Sequence, residues 1–271
     1  MPAQQHVTAG RALRALPKGV EDAIPTRTVT QSNELIEASY SLTLNEKRLL
    51  LLAATQIDPN KSPKQNSSIR ITAADFAETF GITAGYEALE QAAVRLYDRS
   101  IKSVARTRRG IPVEERRWLT GRAVYDEGAV QLEFNEGILD YMTLLSEQFT
   151  TYPLQQISQL SSFYTIRIYE LAVAAQPAGE LYLELERLRE ILDLGGKYPS
   201  VKDLRRYVID PAVDQITSTS PWKMRAEPVR DGRKVIGFQA VRRETASTEP
   251  GSVARGVSPK QSVVGRLIEM A

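Results

Sequence analysis

The apolar positions of this chain change period repeatedly, and each change marks an element. Thr43 and Glu46, three residues apart, have the spacing of a capping box. The run Leu49, Leu50, Leu51, Leu52 behind them predicts a helix to about Ile57, apolar on most sides and therefore buried. Residues 58–68, rich in Pro, Asn, Lys and Ser, read as a loop, and Ile69 and Ile71 alternate with Arg70 and Thr72 as a short strand. Thr72 and Asp75 open a second helix through Phe76 and Phe80 that stops at Gly81. Residues 86–101 are the next helix, with Leu89, Ala93, Leu96 and Tyr97 on one face. Three strands follow: a basic one over 102–109, a second over 116–125, and a third in which Val130, Leu132 and Phe134 alternate. Helix, strand, helix, helix, strands is the layout of a winged helix, a helix-turn-helix backed by a β-hairpin.

The order then repeats. Residues 138–145 read as a bridging helix, 148–153 as a linker that Pro153 keeps out of the next helix, and 154–176 as one long buried helix. Leu181, Leu183 and Leu185 alternate as a strand, and residues 185–194 form a helix ending at Gly195-Gly196. Ser200 and Asp203 give a third capping-box spacing, opening a helix to about Thr217 in which Pro211 predicts a bend near Ile209. Strands over 222–229 and 234–241 flank Asp231-Gly232, a dipeptide suited to a type I′ turn. The expected fold is therefore α+β: two tandem winged-helix domains, a pseudo-duplication in which residues 198–216 correspond to 86–101. The expected division is a disordered leader over 1–30, one domain over 31–147, a second over 148–243, and a flexible tail over 244–271. Within the tail, Val263, Val264, Leu267 and Ile268 recur at helical spacing.

Composition narrows the chemistry. Among 271 residues there is no cysteine and one histidine, His6, so thiol nucleophiles, thiolate metal sites and histidine-rich metal sites are excluded, and a Ser-His-Asp triad is improbable. No phosphate-binding G-x-x-x-x-G-K-[ST] or G-x-S-x-G motif is present. No catalytic residue, metal or cofactor is expected. The longest apolar run, residues 49–54, is too short to span a bilayer, and no charged-then-apolar leader opens the chain, so the expectation is a cytoplasmic protein without membrane contact. The net charge is only +2, but residues 195–243 hold 11 basic and 5 acidic residues. The positive charge is concentrated in the second half.

The sharpest candidate site lies in that half. With Ser200 as the cap, Val201, Leu204, Val208 and Ala212 fall on one helix face, and Lys202, Arg205 and Arg206 on another. A cationic helix entered through a Gly-Gly turn suits the major groove. Lys197 and Ser200 sit at its entry, and Arg230, Arg233 and Lys234 at the hairpin tip would act as the wing. In the first half Arg95 and Arg99 lie one helical turn apart, and Lys102, Arg106, Arg108 and Arg109 follow without an acid among them. They are candidate phosphate contacts. The bland alternative is a set of solvated, ion-paired faces, with Glu90, Glu114 and Glu115 as partners. The acidic run Glu180, Glu184, Glu186, Glu190 is interleaved with Arg187 and Arg189 and reads as a salt-bridged surface.

Three segments resemble a known family, the plasmid replication initiators that bind repeated origin sequences (iterons) through tandem winged helices: SYSLTLNEKRLLLLA (39–53), SSFYTIRIYEL (161–171) and LRRYVIDPAVDQI (204–216), with Ile236, Gly237 and Phe238 fitting the closing hairpin. The resemblance covers about residues 30–243. It implies a DNA-binding protein without catalytic activity that binds direct-repeat iterons as a monomer, mainly through its second domain. It also implies origin bending and opening, and recruitment of host replication proteins such as the host initiator and helicase. Dimerisation and DNA-backbone contacts would fall to the first domain, with autorepression at an operator by the dimer, in a bacterial, plasmid-associated setting. Carried over by position, Lys202, Arg205 and Arg206 fall where the family's recognition helix lies. Tyr207 stands where some members carry another arginine, which leaves the recognised bases open. Two other functions share the fold: a winged-helix transcriptional repressor with no replication role, and a protein-interaction module.

Overall fold

The computed structural model describes residues 27–58, 61–104, 113–143, 148–176 and 180–243. Strand β1 (Thr28–Ser32) leads into α1 (Asn33–Glu37) and α2 (Leu44–Ala54). The capping box is present: Glu46 N–H donates to Thr43 Oγ1 at 3.3 Å, and Thr43 N–H donates to Glu46 Oε2 at 2.8 Å. Every residue from Leu49 to Ala54 is buried, as the run of leucines predicts. Strand β2 (Ser68–Thr72) buries Ile69 and Ile71 and exposes their neighbours. Next come α3 (Ala73–Phe80), closed by Gly81 in the left-handed region, and α4 (Gly85–Tyr97). A Cβ on Gly85 would stand 2.7 Å from Ala77 Cβ and 2.8 Å from the Ala73 carbonyl, so the tight crossing of α3 and α4 depends on glycine there. Strands β3 (Ser100–Val104), β4 (Val113–Arg117), β5 (Leu119–Tyr125) and β6 (Ala129–Phe134) follow, then α5 (Glu136–Leu139) and β7 (Phe149–Pro153).

The second copy comprises α6 (Gln155–Ser158), α7 (Phe163–Ala174), β8 (Glu180–Glu184), α8 (Leu185–Ile191), α9 (Val201–Leu204), α10 (Asp210–Thr219), β9 (Lys223–Asp231) and β10 (Lys234–Arg243). The two copies have one topology. In the first, the sheet order is β2-β6-β5, and in the second β8-β10-β9. In each, a short strand precedes the helix-turn-helix and then pairs with the last strand of the hairpin. The order of elements is thus a duplication in space as well as in sequence. The chain holds two winged-helix domains, and β3–β4 is an extra hairpin in the first.

Several expectations are corrected. Residues 28–30, expected as the end of a disordered leader, are strand, because Thr28–Ser32 pairs antiparallel with Phe149–Pro153; the expected linker at 148–153 is that partner strand. A boundary at residues 147 and 148 therefore cuts a sheet. The strand expected over 116–125 is two strands in different sheets, β4 with β3 and β5 with β6, parted at Trp118, which is fully buried edge-to-face with Tyr40. The long helix expected over 154–176 breaks between Ser158 and Phe163. There Gln215 of α10 accepts from the Ser161 N–H at 3.1 Å and donates to Ser161 Oγ at 2.9 Å. The helix expected to end at the glycine pair ends at Ile191, with Asp193 in the left-handed region. Ser200 does cap, but it accepts from Lys202 N–H, without the reciprocal bond from Asp203. Where the bridging helix is expected over 138–145, the described residues hold a short helix at Glu136–Leu139 and a 3-10 turn over Asp140–Met142. The remainder of the leader, the tail with its helical spacing, and residues 105–112 with Arg106, Arg108 and Arg109 lie outside the described residues.

A buried polar cluster joins two of the three resemblance segments, 39–53 and 161–171. Glu170 of α7 accepts from Lys47 of α2 at 2.7 Å, from Gln31 of β1 at 2.8 Å and from the Tyr152 hydroxyl of β7 at 2.8 Å on Oε1, and from Arg167 at 3.2 Å on Oε2. Arg167 also donates to the Tyr40 hydroxyl and to the Ala38 carbonyl, each at 2.8 Å. Lys47, Arg167 and Glu170 have no exposed side-chain surface. Burial alone would push the Glu170 carboxyl up; the Lys47 and Arg167 charges, with hydrogen bonds from Lys47 and Gln31, outweigh burial and hold it below the usual carboxylate value. Such a cluster is tolerated in a core only because each charge finds a partner. Here the partners come from β1, α2, β7 and α7, so the cluster specifies how the first domain closes onto α7.

Candidate nucleic-acid interface

The second helix-turn-helix begins with a turn held by a single arginine. Arg189 of α8 donates to the carbonyls of Lys197, Tyr198 and Pro199 at 3.3, 2.7 and 3.1 Å. Tyr198 sits in the left-handed region at φ 54°, a costly conformation for a bulky residue. The fork of a guanidinium can hold three successive carbonyls, which explains how the strained turn persists. The sequence reading placed Arg189 in a salt-bridged face; Arg187 does fill that role, bonding Glu190 at 2.7 Å, while Arg189 organises the turn.

The helix behind the turn is not uniform. Ser200 caps α9, and Arg205–Ile209 is a π-helical turn before α10, in which the Asp210 N–H donates to the Arg205 carbonyl five residues back. Pro211 lacks an N–H and its ring crowds the carbonyl four residues earlier. An extra residue in the turn relieves both conflicts, so the bend expected near Ile209 takes the form of a local widening. The widening has a consequence for the surface. Leu204, Val208 and Ile209 are buried, while Arg205, Arg206 and Tyr207, three in a row, are all exposed. Lys202 is exposed one turn earlier, as are Lys197 and Ser200 at the entry.

The exposed groups are ordered by one another. Arg205 Nε donates to both oxygens of Asp210, at 3.0 and 3.2 Å. The Arg206 guanidinium lies 5.3 Å from the centre of the Tyr207 ring, and that ring lies 6.1 Å from Tyr198 at a 30° tilt. Tyr207 is the most exposed large aromatic of the chain's described residues, at 55%. The wing places Arg230, Arg233 and Lys234 at its exposed tip. Its two loop residues are Gly232 and Arg233 rather than Asp231 and Gly232, since Asp231 pairs with Lys234. Only Gly232 has positive φ, the requirement of a type II′ turn and not of type I′. Deeper in the hairpin, a Cβ on Gly237 would meet the Leu183 carbonyl at 2.5 Å and the Tyr182 ring at 2.9 Å, at the point where the register of β9 and β10 shifts.

The first-domain candidates are dispersed. Arg95 is exposed on α4 beside a shallow cleft lined by Thr43, Asn45 and Gln91. Arg99 is bound to the buried carboxylate of Glu46 at 3.2 Å, so the structure assigns it a partner within the fold. Lys102 is exposed on β3, where its backbone bridges Ser39. Among the described residues, no group of three or more His, Cys, Asp or Glu side chains could hold a metal ion, and no helix is long and apolar enough to cross a membrane.

Comparison with known proteins agrees with this architecture. The sequence matches the family model described as Initiator Replication protein, WH1, over residues 28–173, and that described as Initiator Rep protein, WH2, over residues 184–239. The first match starts at β1 and runs through α7, the span closed by the buried cluster. An Escherichia coli protein described only as an uncharacterized 27.6 kDa protein is 29% identical over 215 residues, 71% of this chain and 86% of its own. Among solved structures, Pi initiator protein in complex with iteron DNA superposes with a TM-score of 0.67 at 22% identity, covering 81% of this chain and 99% of that one. At that identity the likeness carries the fold.

Proposed function

The chain belongs to the initiator replication protein family, and from that premise we propose that it is a sequence-specific DNA-binding initiator of plasmid replication that binds direct-repeat iterons at its origin. The observation that carries the reading is the exposed cationic surface of the second winged helix. Lys202, Arg205 and Arg206 stand on a helix capped by Ser200, and Arg230, Arg233 and Lys234 stand at the tip of the adjoining wing. The helix residues read base edges and adjacent phosphates, Lys197 and Ser200 hold a phosphate at the helix entry, and the wing cations grip a flanking groove. Arg95 and Lys102 of the first domain hold backbone phosphates, with Arg106, Arg108 and Arg109. Binding opens an adjacent AT-rich tract and recruits the host initiator and helicase. A dimer joined through the first domain represses the protein's own promoter at an operator. The protein acts in the bacterial cytoplasm, by binding alone.

The test is duplex binding by the full chain at two salt concentrations, with direct repeats from the DNA beside the gene and with random competitor. Tight binding that survives competitor supports the reading, and each lost phosphate contact, as in Lys202→Ala, lowers the salt slope of log K by about 0.9. Equal, weak binding to every sequence refutes it. Supercoiled DNA carrying the repeats then separates an initiator from a plain repressor: only the initiator makes a neighbouring AT-rich tract sensitive to single-strand probes.

A further inference from the structure

Arg205 and Asp210 are five residues apart, a spacing at which α-helical side chains do not face each other. The π turn changes this. The same backbone bond that defines the turn, Asp210 N–H to the Arg205 carbonyl, draws the two residues onto one side, and the carboxylate then accepts the Nε–H through both oxygens. Both side chains are nearly half exposed, at 45% and 46%. A structural ion pair at that exposure contributes little to stability. What it does is fix direction. A guanidinium gripped at Nε presents its two terminal nitrogens as a fork, and these have no partner among the described residues. That two-donor edge matches the O6 and N7 acceptors of guanine in the major groove. Fixing it in advance removes rotamer freedom that binding would otherwise have to remove. The carboxylate has a second effect, because a negative charge beside the helix repels phosphates of any sequence.

We propose that Asp210 is a positioning residue for base recognition: through the π turn it aims the Arg205 guanidinium at a single guanine, and it lowers affinity for DNA in general. The proposal rests on the reading of this helix as the groove-facing one. The experiment is site selection by the full chain from a pool of randomised duplexes, followed by titration of a selected and a random duplex. The wild type is expected to enrich one motif with guanine fixed at one position. Asp210→Asn, nearly isosteric, is expected to relax that position alone by about tenfold, while affinity for the random duplex rises. Arg205→Ala relaxes the same position, and adding Asp210→Asn to it relaxes the position no further. Asp210→Glu, which keeps the charge, retains the low affinity for random DNA. Unchanged base preference in Asp210→Asn overturns the proposal, as does an equal loss on both duplexes. If the wild type selects nothing and Arg205→Ala binds as well as the parent, the groove-facing reading itself falls, and the proposal with it.

Discussion

Glu170→Gln tests whether the resemblance segments 39–53 and 161–171 are joined by a buried anion. The amide keeps the size of the side chain and one acceptor oxygen, but it removes the charge that faces Lys47 at 2.7 Å and Arg167 at 3.2 Å. It also turns two NH2 hydrogens toward a site crowded with donors from Lys47, Gln31, Tyr152 and Arg167. Removing one partner of a buried ion pair costs about 3–5 kcal/mol, because the remaining charge cannot reach water. Two cations are left here, and apart from the one amide oxygen their remaining acceptors are the Tyr40 hydroxyl and the Ala38 carbonyl. The expected loss is therefore about 4 kcal/mol, a large part of the ~5–15 kcal/mol that stabilises an ordinary domain. Urea unfolding reads it directly. The chain's two tryptophans are buried in different copies, Trp118 between β4 and β5 and Trp222 ahead of β9, so single-tryptophan variants report each copy separately. The loss is expected at Trp118 first, since β1 and α2 supply Gln31 and Lys47. Replacing the whole triad (Lys47→Met, Arg167→Met, Glu170→Leu) is expected to cost less than Glu170→Gln alone, because no charge is then stranded. A loss below about 1 kcal/mol for Glu170→Gln, or a triple variant worse than the single, would refute the argument.

Three further outcomes follow from the same geometry. Gly237→Ala places a methyl group against the Leu183 carbonyl and the Tyr182 ring, and is expected to cost about 1–3 kcal/mol by forcing β8 away from β10; differential scanning calorimetry measures it. Arg189→Ala frees the carbonyls of residues 197–199 and lets Tyr198 leave its strained conformation, so duplex affinity is expected to fall about tenfold, with faster amide exchange in the turn; Arg189→Lys, lacking the fork, does not restore it. Stability should also fall at both ends of the pH range. The depressed Glu170 contributes above the unfolded carboxylate value of about 4.3 and is lost as pH falls through its lower folded value, a loss that Glu170→Gln flattens. The Tyr152 hydroxyl is pushed well above its ordinary value, by burial first and then by Glu170. Its contribution is present below about pH 10 and lost as pH rises further, and Tyr152→Phe flattens that limb.

Local signals in the sequence located most helices, and long-range pairings account for most of what it concealed. The capping box at Thr43, the stop at Gly81 and the alternation of Ile69 and Ile71 act within a few residues and appear in the fold as expected. The pairing of Thr28–Ser32 with Phe149–Pro153 spans the whole first domain, and nothing near Pro153 announces it. Trp118 looks like one more apolar position in a continuous strand; only its burial against Tyr40 shows that the chain changes sheets there. The buried cluster did leave a trace. Arg167 and Glu170 interrupt an otherwise apolar helix three residues apart, and opposite charges at that spacing inside a buried run call for partners from elsewhere. In the second winged helix, the exposure of Lys202, Arg205 and Arg206 was legible from the helical face. The role of Arg189 was not, because its partners are backbone carbonyls, which every residue offers.

The duplication sets the two copies side by side and shows how one scaffold supports different surfaces. In the first copy several of the described arginines are engaged by the fold, Arg95 being exposed. Arg99 holds Glu46, Arg117 approaches Asp98 at 3.8 Å, Arg117 and Arg122 each lie 5.8 Å from the centre of the Tyr97 ring, and Arg70 bonds Glu127 while lying 4.5 Å from the Tyr125 ring centre. In the second, Lys202, Arg206, Arg233 and Lys234 are exposed and have no carboxylate partner among the described residues. A paired cation that meets a phosphate exchanges one anion for another and gains little. An unpaired, hydrated cation releases a counterion from the DNA at no such loss. The two copies should then contribute unequally to the salt slope even where their basic residues are similar in number. Arg205 is the instructive exception in the second copy, since its partner Asp210 binds Nε and leaves the terminal fork open. Pairing of the kind at Arg99 occupies the cation, whereas pairing at Arg205 leaves its terminal nitrogens open.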